Sequence, residues 1–211
     1  MPTLLAYGGP VIWLILIAAA TAAVVFVERV LFCHRSQINS AEFLNGVRTV
    51  LKRDNVVEAV SICDATPGPV ARLVKAAILN RDKGRERIRE AVEEAGLTEV
   101  PRLEEKLNLL ATIAQISPLL GLFGTIVGFI HVFMNLQAEG LYAHISGDKF
   151  SLAAGIWESL ICAAAGIALA IPAHAGYNYL VSRVNKIVLD MERAAAEIVN
   201  IVTENASDKP Q

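Results

Sequence analysis

The chain has 211 residues, 54% of them hydrophobic but only 6% aromatic, and its mean hydropathy of +0.47 exceeds what a water-soluble core of this size requires. A formal net charge of −2 gives no global reason to expect nucleic acid as a partner. The three cysteines, Cys33, Cys63 and Cys162, are odd in number, far apart and without a CxxC pair, which argues against a disulfide framework or a zinc site and suits a reducing cytoplasmic face.

Charge is segregated along the chain. Residues 1–27 carry none, whereas residues 28–108 hold 14 of the 19 Lys/Arg and 13 of the 21 Asp/Glu. The pattern predicts an all-α membrane protein with three transmembrane helices, and, because the second and third apolar runs exceed the ~20 residues of a span, long helices extending into a helical cytoplasmic domain.

Residues 1–8 read as a short outer segment and 9–32 as transmembrane helix 1. That run lacks a basic n-region and ends in Glu28-Arg29 instead of a small-residue cleavage site, so it is expected to be retained as a span. Residues 33–106 form the soluble domain, with helix signals at Ser40–Arg53, Asn55–Asp64, Pro69–Asp82 and Arg85–Glu94 and breaks at Thr66–Pro69 and Asp82–Gly84. Glu99-Val100-Pro101-Arg102 is expected to open a helix running straight into transmembrane helix 2, residues 107–136, with Pro101 in its first turn. A loop at 137–149 leads to transmembrane helix 3, residues 150–182, whose sole charge is Glu158, and 183–211 reads as a C-terminal helix and tail. In that helix Val184, Ile187, Val188, Met191, Ala195, Ile198 and Val202 make one apolar stripe, expected to pack on the 28–108 region or on a neighbouring copy. Arg29, Arg35, Arg102, Lys106, Arg183, Lys186 and Arg193 flank the spans on one side only, which predicts the N-terminus outside and the C-terminus inside.

Within span two, Gly121, Gly124 and Gly128 occupy one side of an apolar helix and permit close helix approach; packing alone accounts for them equally well. Thr125 sits among them, and a lone Thr there usually bonds its own helix. Span three is rich in small residues, Ala163 and Gly166 included. Glu158, about eight residues into that span, is expected to face an ion path, or else to mark the helix's outer mouth. Pro172 reads as a kink or a functional break. His131 and His174 are candidate proton relays, with packing or interfacial roles the commoner use. No metal-ligand cluster, cofactor motif or catalytic constellation appears, so no enzyme and no cofactor are expected.

Ser117-Pro118-Leu119-Leu120-Gly121-Leu122-Phe123-Gly124-Thr125, with Gly155-Ile156-Trp157-Glu158-Ser159 through Gly166 to Ala170-Ile171-Pro172 and Tyr177-Asn178, resembles the MotA/TolQ/ExbB proton-channel family, and within it the ExbB/TolQ branch. The resemblance implies a homopentamer in the bacterial inner membrane whose second and third helices line a pore. It implies an ExbD/TolR-like partner with one span bearing an Asp, and a TonB- or TolA-like protein that receives the work. Carried over by position, Thr125, Glu158 and Pro172 match family pore residues, while Ala163 stands where a second Thr is common. With one hydroxyl missing, protons are expected over sodium, because a hard cation needs several oxygen ligands. The motifs do not separate an ExbB-type subunit, driving TonB-dependent transport across the outer membrane, from a TolQ-type subunit of envelope maintenance. A non-conducting membrane scaffold is the expectation from another class.

Overall fold

The computed structural model describes residues 9–139 and 152–207, and of Glu158 and the residues at 9–10, 135–136, 138–139, 152–154 and 205–207 the backbone alone; the expected outer segment 1–8, most of the 137–149 loop and the last four residues lie outside the described residues. Every element in the described part is helical: α1 (Gly9–Ser36), α2 (Ser40–Leu51), α3 (Val56–Ala65), α4 (Pro69–Leu79), a 3₁₀ turn (Arg81–Lys83), α5 (Arg85–Glu104), α6 (Leu107–Glu139) and α7 (Leu152–Ser207). Contacts divide the chain into two compact units, one of Met1–Glu28 with Lys106–Tyr179, the other of Arg29–Glu105 with Leu180–Gln211.

The first unit is apolar on its outside as well as its inside. Trp13, Ile17, Val24, Leu119, Phe133 and Ile171 are each at least 60% exposed. Water would penalise such a surface, whereas hydrocarbon does not, and α-helices satisfy their own backbone groups in lipid. Among the described residues, three helices are long and apolar enough to cross a membrane.

The second unit is built as a soluble helical domain. Asn39 and Asn55 cap α2 and α3, each accepting from the backbone N–H of the glutamate three residues on, while its own amide donates to that Glu42 or Glu58 carboxylate. α4 begins at Pro69 after Gly68, whose φ of +126° strains any side chain and whose added Cβ would stand 3.1 Å from the Ser36 carbonyl oxygen. Leu44, Val47, Leu73, Val74, Ile78, Ile88 and Val92 form the core together with Val184, Ile187, Met191 and Ile198 of α7. The C-terminal stripe is therefore occupied within the second unit, with Ala194 in place of Ala195 at its buried centre.

One helix boundary differs from expectation. α5 does not stop at Glu94 and Pro101 does not open a helix; α5 runs to Glu104 with Pro101 inside it. The turn before the proline is held from the side. Arg72 Nη1 donates to both oxygens of the buried Glu99 carboxylate at 2.8 and 2.7 Å, and Arg102 Nη1 adds a third bond at 2.8 Å. Arg29, itself buried over the Phe32 ring, donates to the Arg102 carbonyl at 3.2 Å and pairs with Glu105 at 3.3 Å. The chain then breaks at Lys106, whose φ of +62° is left-handed and whose carbonyl accepts the first bond of α6 from Leu110 N–H. α7 continues from span three, through Pro172, to Ser207, one of the long helices that extend beyond the apolar run.

Cys63 packs against α4 in the second unit. Burial, reinforced by the neighbouring Asp64 charge and opposed by Lys75, pushes its thiol from 9.0 up to about 11. The folded state thus holds this proton to higher pH than the unfolded chain does. The stabilisation is whole below pH 9 and is lost as pH rises toward 11. Thermal unfolding of the purified protein followed between pH 8 and 11 is expected to show a fall in midpoint that Cys63→Ala makes shallower; identical slopes would contradict it.

Candidate functional site

Two helices of the apolar unit meet along a seam of small side chains with the same spacing on both sides. On α6 the residues are Ser117, Gly121, Gly124 and Gly128; on α7 they are Gly155, Ser159, Cys162 and Gly166. Each set follows i, i+4, i+7, i+11, one stripe of a 3.6-residue helix. The helices run antiparallel, so the sets pair in reverse order.

The clearances show how close the backbones are. A Cβ on Gly166 would stand 2.6 Å from the Ser117 carbonyl oxygen and 2.8 Å from Gly121 Cα, and one on Gly121 would meet the Cys162 and Ala163 carbonyl oxygens at 3.0 and 3.1 Å. At Gly124 it would strike Cys162 Cβ at 2.7 Å and Val11 of α1 at 3.1 Å; at Gly128 it would strike Ser159 Oγ at 2.1 Å. Gly155 and Gly176 are occluded in the same way by Val132 and by Phe26 of α1. In lipid, association between helices rests on such packing, because the hydrophobic effect gives no preference for helix over lipid tail.

Polar groups at the seam are satisfied locally. Ser117 and Ser159 are fully buried and donate to the carbonyls of Ile113 at 2.5 Å and Gly155 at 2.9 Å. Thr125 is half-buried at the edge of the seam. Its hydroxyl donates to the Gly121 carbonyl at 3.0 Å and lies 3.3 Å from the Ser159 carbonyl on the other helix, so a single proton is shared between two helices. Both lone pairs of that oxygen remain available to accept a bond.

Of the residues singled out from sequence, the structure brings Thr125 onto the carbonyl that directly follows Glu158 in the chain, and brings Gly121 against Ala163 and Gly166. The Glu158 side chain lies outside the described residues. Pro172 is exposed on α7, nine residues beyond Ala163, and is not part of this cluster. His131 and His174 are both exposed at their helix surfaces. No packing role is read from sequence for Gly155, Ser159 or Cys162, although Ser159, Cys162 and Gly166 repeat the i, i+3, i+7 spacing of the α6 glycines. Among the described residues no three His, Cys, Asp or Glu side chains converge as metal ligands would.

The seam makes a graded prediction for detergent-solubilised protein. Gly166→Ala presses on backbone from two sides, which cannot rotate away, and is expected to cost about 1–3 kcal/mol or more. Gly128→Ala presses chiefly on one hydroxyl, so adding Ser159→Ala to it is expected to restore most of the loss in melting temperature, whereas no single change on α6 rescues Gly166→Ala.

Comparison with known proteins bears on this constellation. Residues 65–193 match the family described as the MotA/TolQ/ExbB proton channel family. A putative biopolymer transport protein ExbB homologue of Methanothermobacter thermautotrophicus is 24% identical over 84% of this chain and 62% of its own length. The Tol-Pal system protein TolQ of Haemophilus influenzae is 40% identical over 53% of the chain and 46% of its own. The biopolymer transport protein ExbB of Neisseria gonorrhoeae is 27% identical over 95% of the chain and 93% of its length. The chain thus spans about half to two thirds of the first two relatives and nearly all of the third.

Proposed function

Because the chain belongs to the MotA/TolQ/ExbB proton channel family, we propose that it forms the wall of a proton-conducting channel in a bacterial inner membrane, with its N-terminus outside and its C-terminus in the cytoplasm. Five copies surround the passage, an ExbD/TolR-like single-span protein carries a membrane Asp inside it, and a TonB- or TolA-like protein takes up the work. Thr125, Glu158 and Ala163 line the path, and Pro172 lies on the inner half of the third span.

One observation carries this reading. The small-residue seam holds Thr125 against the carbonyl of Ser159, the residue after Glu158, so a hydroxyl and a carboxylate-bearing turn stand at one level of the bilayer. Thr125 spends its proton on backbone carbonyls and presents lone pairs, which suits it to accept a bond from water or a protonated carboxyl. A Glu in a span is costly against lipid and is at home facing a passage. Each proton descending 100 mV releases about 2.3 kcal/mol, enough per few protons to rearrange a helix contact.

The ExbB type is preferred because the gonococcal ExbB aligns over 95% of the chain, a match in extent that the TolQ relative does not reach. A TolQ-type role in envelope maintenance is the second reading, favoured by the higher identity of that shorter alignment, 40% over 115 residues.

Proton uptake into vesicles containing this chain and its partner is the test. Thr125→Val and Glu158→Gln are each expected to lower uptake at least about tenfold, equivalent to ~1.4 kcal/mol in the barrier. If both variants conduct as the parent does, the protein is a scaffold and not a channel wall. Ion choice follows from Ala163, which offers no side-chain oxygen: replacing sodium by potassium at fixed pH is expected to leave coupled transport unchanged, and a strict sodium requirement would overturn the proton assignment.

A further inference from the structure

Two contacts fix the level of α6 against α1 within the apolar unit. Gly124 meets Val11 at one end, and Lys106 pairs with Glu28 at the other. Gln115 lies nine residues from each, about 13.5 Å along the helix from the Lys106 charge, level with the middle of the uncharged Val11–Val27 stretch of α1. It is therefore at hydrocarbon depth. Its side chain is exposed, on the side of α6 away from the seam, and among the described residues nothing hydrogen-bonds to it.

Gln115 is the deep end of a stripe. Asn108 and Thr112 precede it at helical spacing and are exposed on the same side, and Thr112 donates back to the Asn108 carbonyl at 2.7 Å. Beyond Gln115 the stripe turns wholly apolar, through Leu119, Leu122 and Ile126. The adjacent face of the same helix is apolar throughout, with Leu109, Ile116, Phe123 and Ile130 exposed. α7 repeats the pattern from the same end. His174 and Asn178 are exposed on either side of Gly176, which packs on Phe26 two residues before Glu28, and neither side chain has a partner among the described residues. His174 is eleven residues from Ala163, about 20° apart around the helix, so the two share one face.

An unpaired amide at that depth is tolerated only where something other than lipid meets it. A contact with one neighbouring helix needs a polar residue at the point of contact. A series that starts at the charged end, runs inward without a gap and stops is what a wedge of water requires. We infer that Asn108, Thr112 and Gln115 of α6, with His174 and Asn178 of α7, line a water-filled vestibule that enters the membrane from the side of Lys106 and Arg183. The ion regains water at Gln115, and the dry part of the path is confined to the stretch beyond it. This rests on the channel reading for its purpose, but its evidence is separate.

The test is reaction of single cysteines with a membrane-impermeant thiol reagent in vesicles of both orientations, using the full chain with its partner. The three native cysteines are buried, so the parent gives the background. Gln115→Cys, Thr112→Cys and Asn178→Cys are expected to react at least tenfold faster than Ile116→Cys and Phe123→Cys, and only in inverted vesicles, where the Lys106 side is outward. Thiol content after denaturation confirms that each variant is present and reactive. Rates for Gln115→Cys within threefold of Ile116→Cys, or reaction only from the opposite side, overturn the vestibule. Labelling as expected with no proton uptake would leave the wet face standing and withdraw the channel; uptake without labelling would do the reverse.

Discussion

The contact on which the rest depends is the approach of two backbones across the α6–α7 seam. A lipid environment offers a helix pair no gain from burying apolar surface, so what remains is dispersion at short range and whatever polar groups closeness allows to meet. Four small residues on each helix at matching spacing bring carbonyl oxygens of α7 within about 3 Å of where a Cβ on α6 would stand. Only at that separation does the Thr125 hydroxyl reach a carbonyl of the other helix. With Leu in place of Gly121 or Gly124 the helices would still be helices, each satisfying its own backbone, but Thr125 would answer to one helix only.

The second unit obeys different rules because its solvent is different. Its core has the ordinary one-face burial of amphipathic helices, and the N-termini of α2 and α3 are capped by asparagine side chains. The polar interior is concentrated at one point, where Glu99 and Arg29 tie the last turns of α5 to α4 and to the end of α1. Both groups are buried, and each faces an opposite charge. The cost of a left-handed Lys106 just beyond, about 1–2 kcal/mol, is small beside what holds the turns on either side of it.

How much of this was legible in the sequence depends on contrast. The glycines of α6 stand out against Leu, Phe and Ile, so their stripe is visible without a partner. On α7 the run Cys162-Ala163-Ala164-Ala165-Gly166 is small at every position, and nothing local says which of its faces meets α6. The partner decides, and it selects Cys162 and Gly166. Ser159 hides for a related reason, since it lies beside the more conspicuous Glu158. The α5–α6 break was illegible because Glu105 and Lys106 carry no turn signal, while Pro101 carries a strong one that ion pairs on the preceding turn override.

The distribution of polar groups along α6 also constrains where work is done. The membrane potential delivers the same energy per charge whatever the thickness of the barrier, but the field is that energy divided by the dry distance. With water reaching Gln115, the drop is compressed into the apolar stretch that contains Thr125 and the turn of Glu158. Moving a proton through a shorter dry segment also lowers the solvation cost, because water remains close on one side. A stripe of three uncharged polar residues therefore does what a charged one cannot: it draws water inward without creating a site that would bind the ion and hold it.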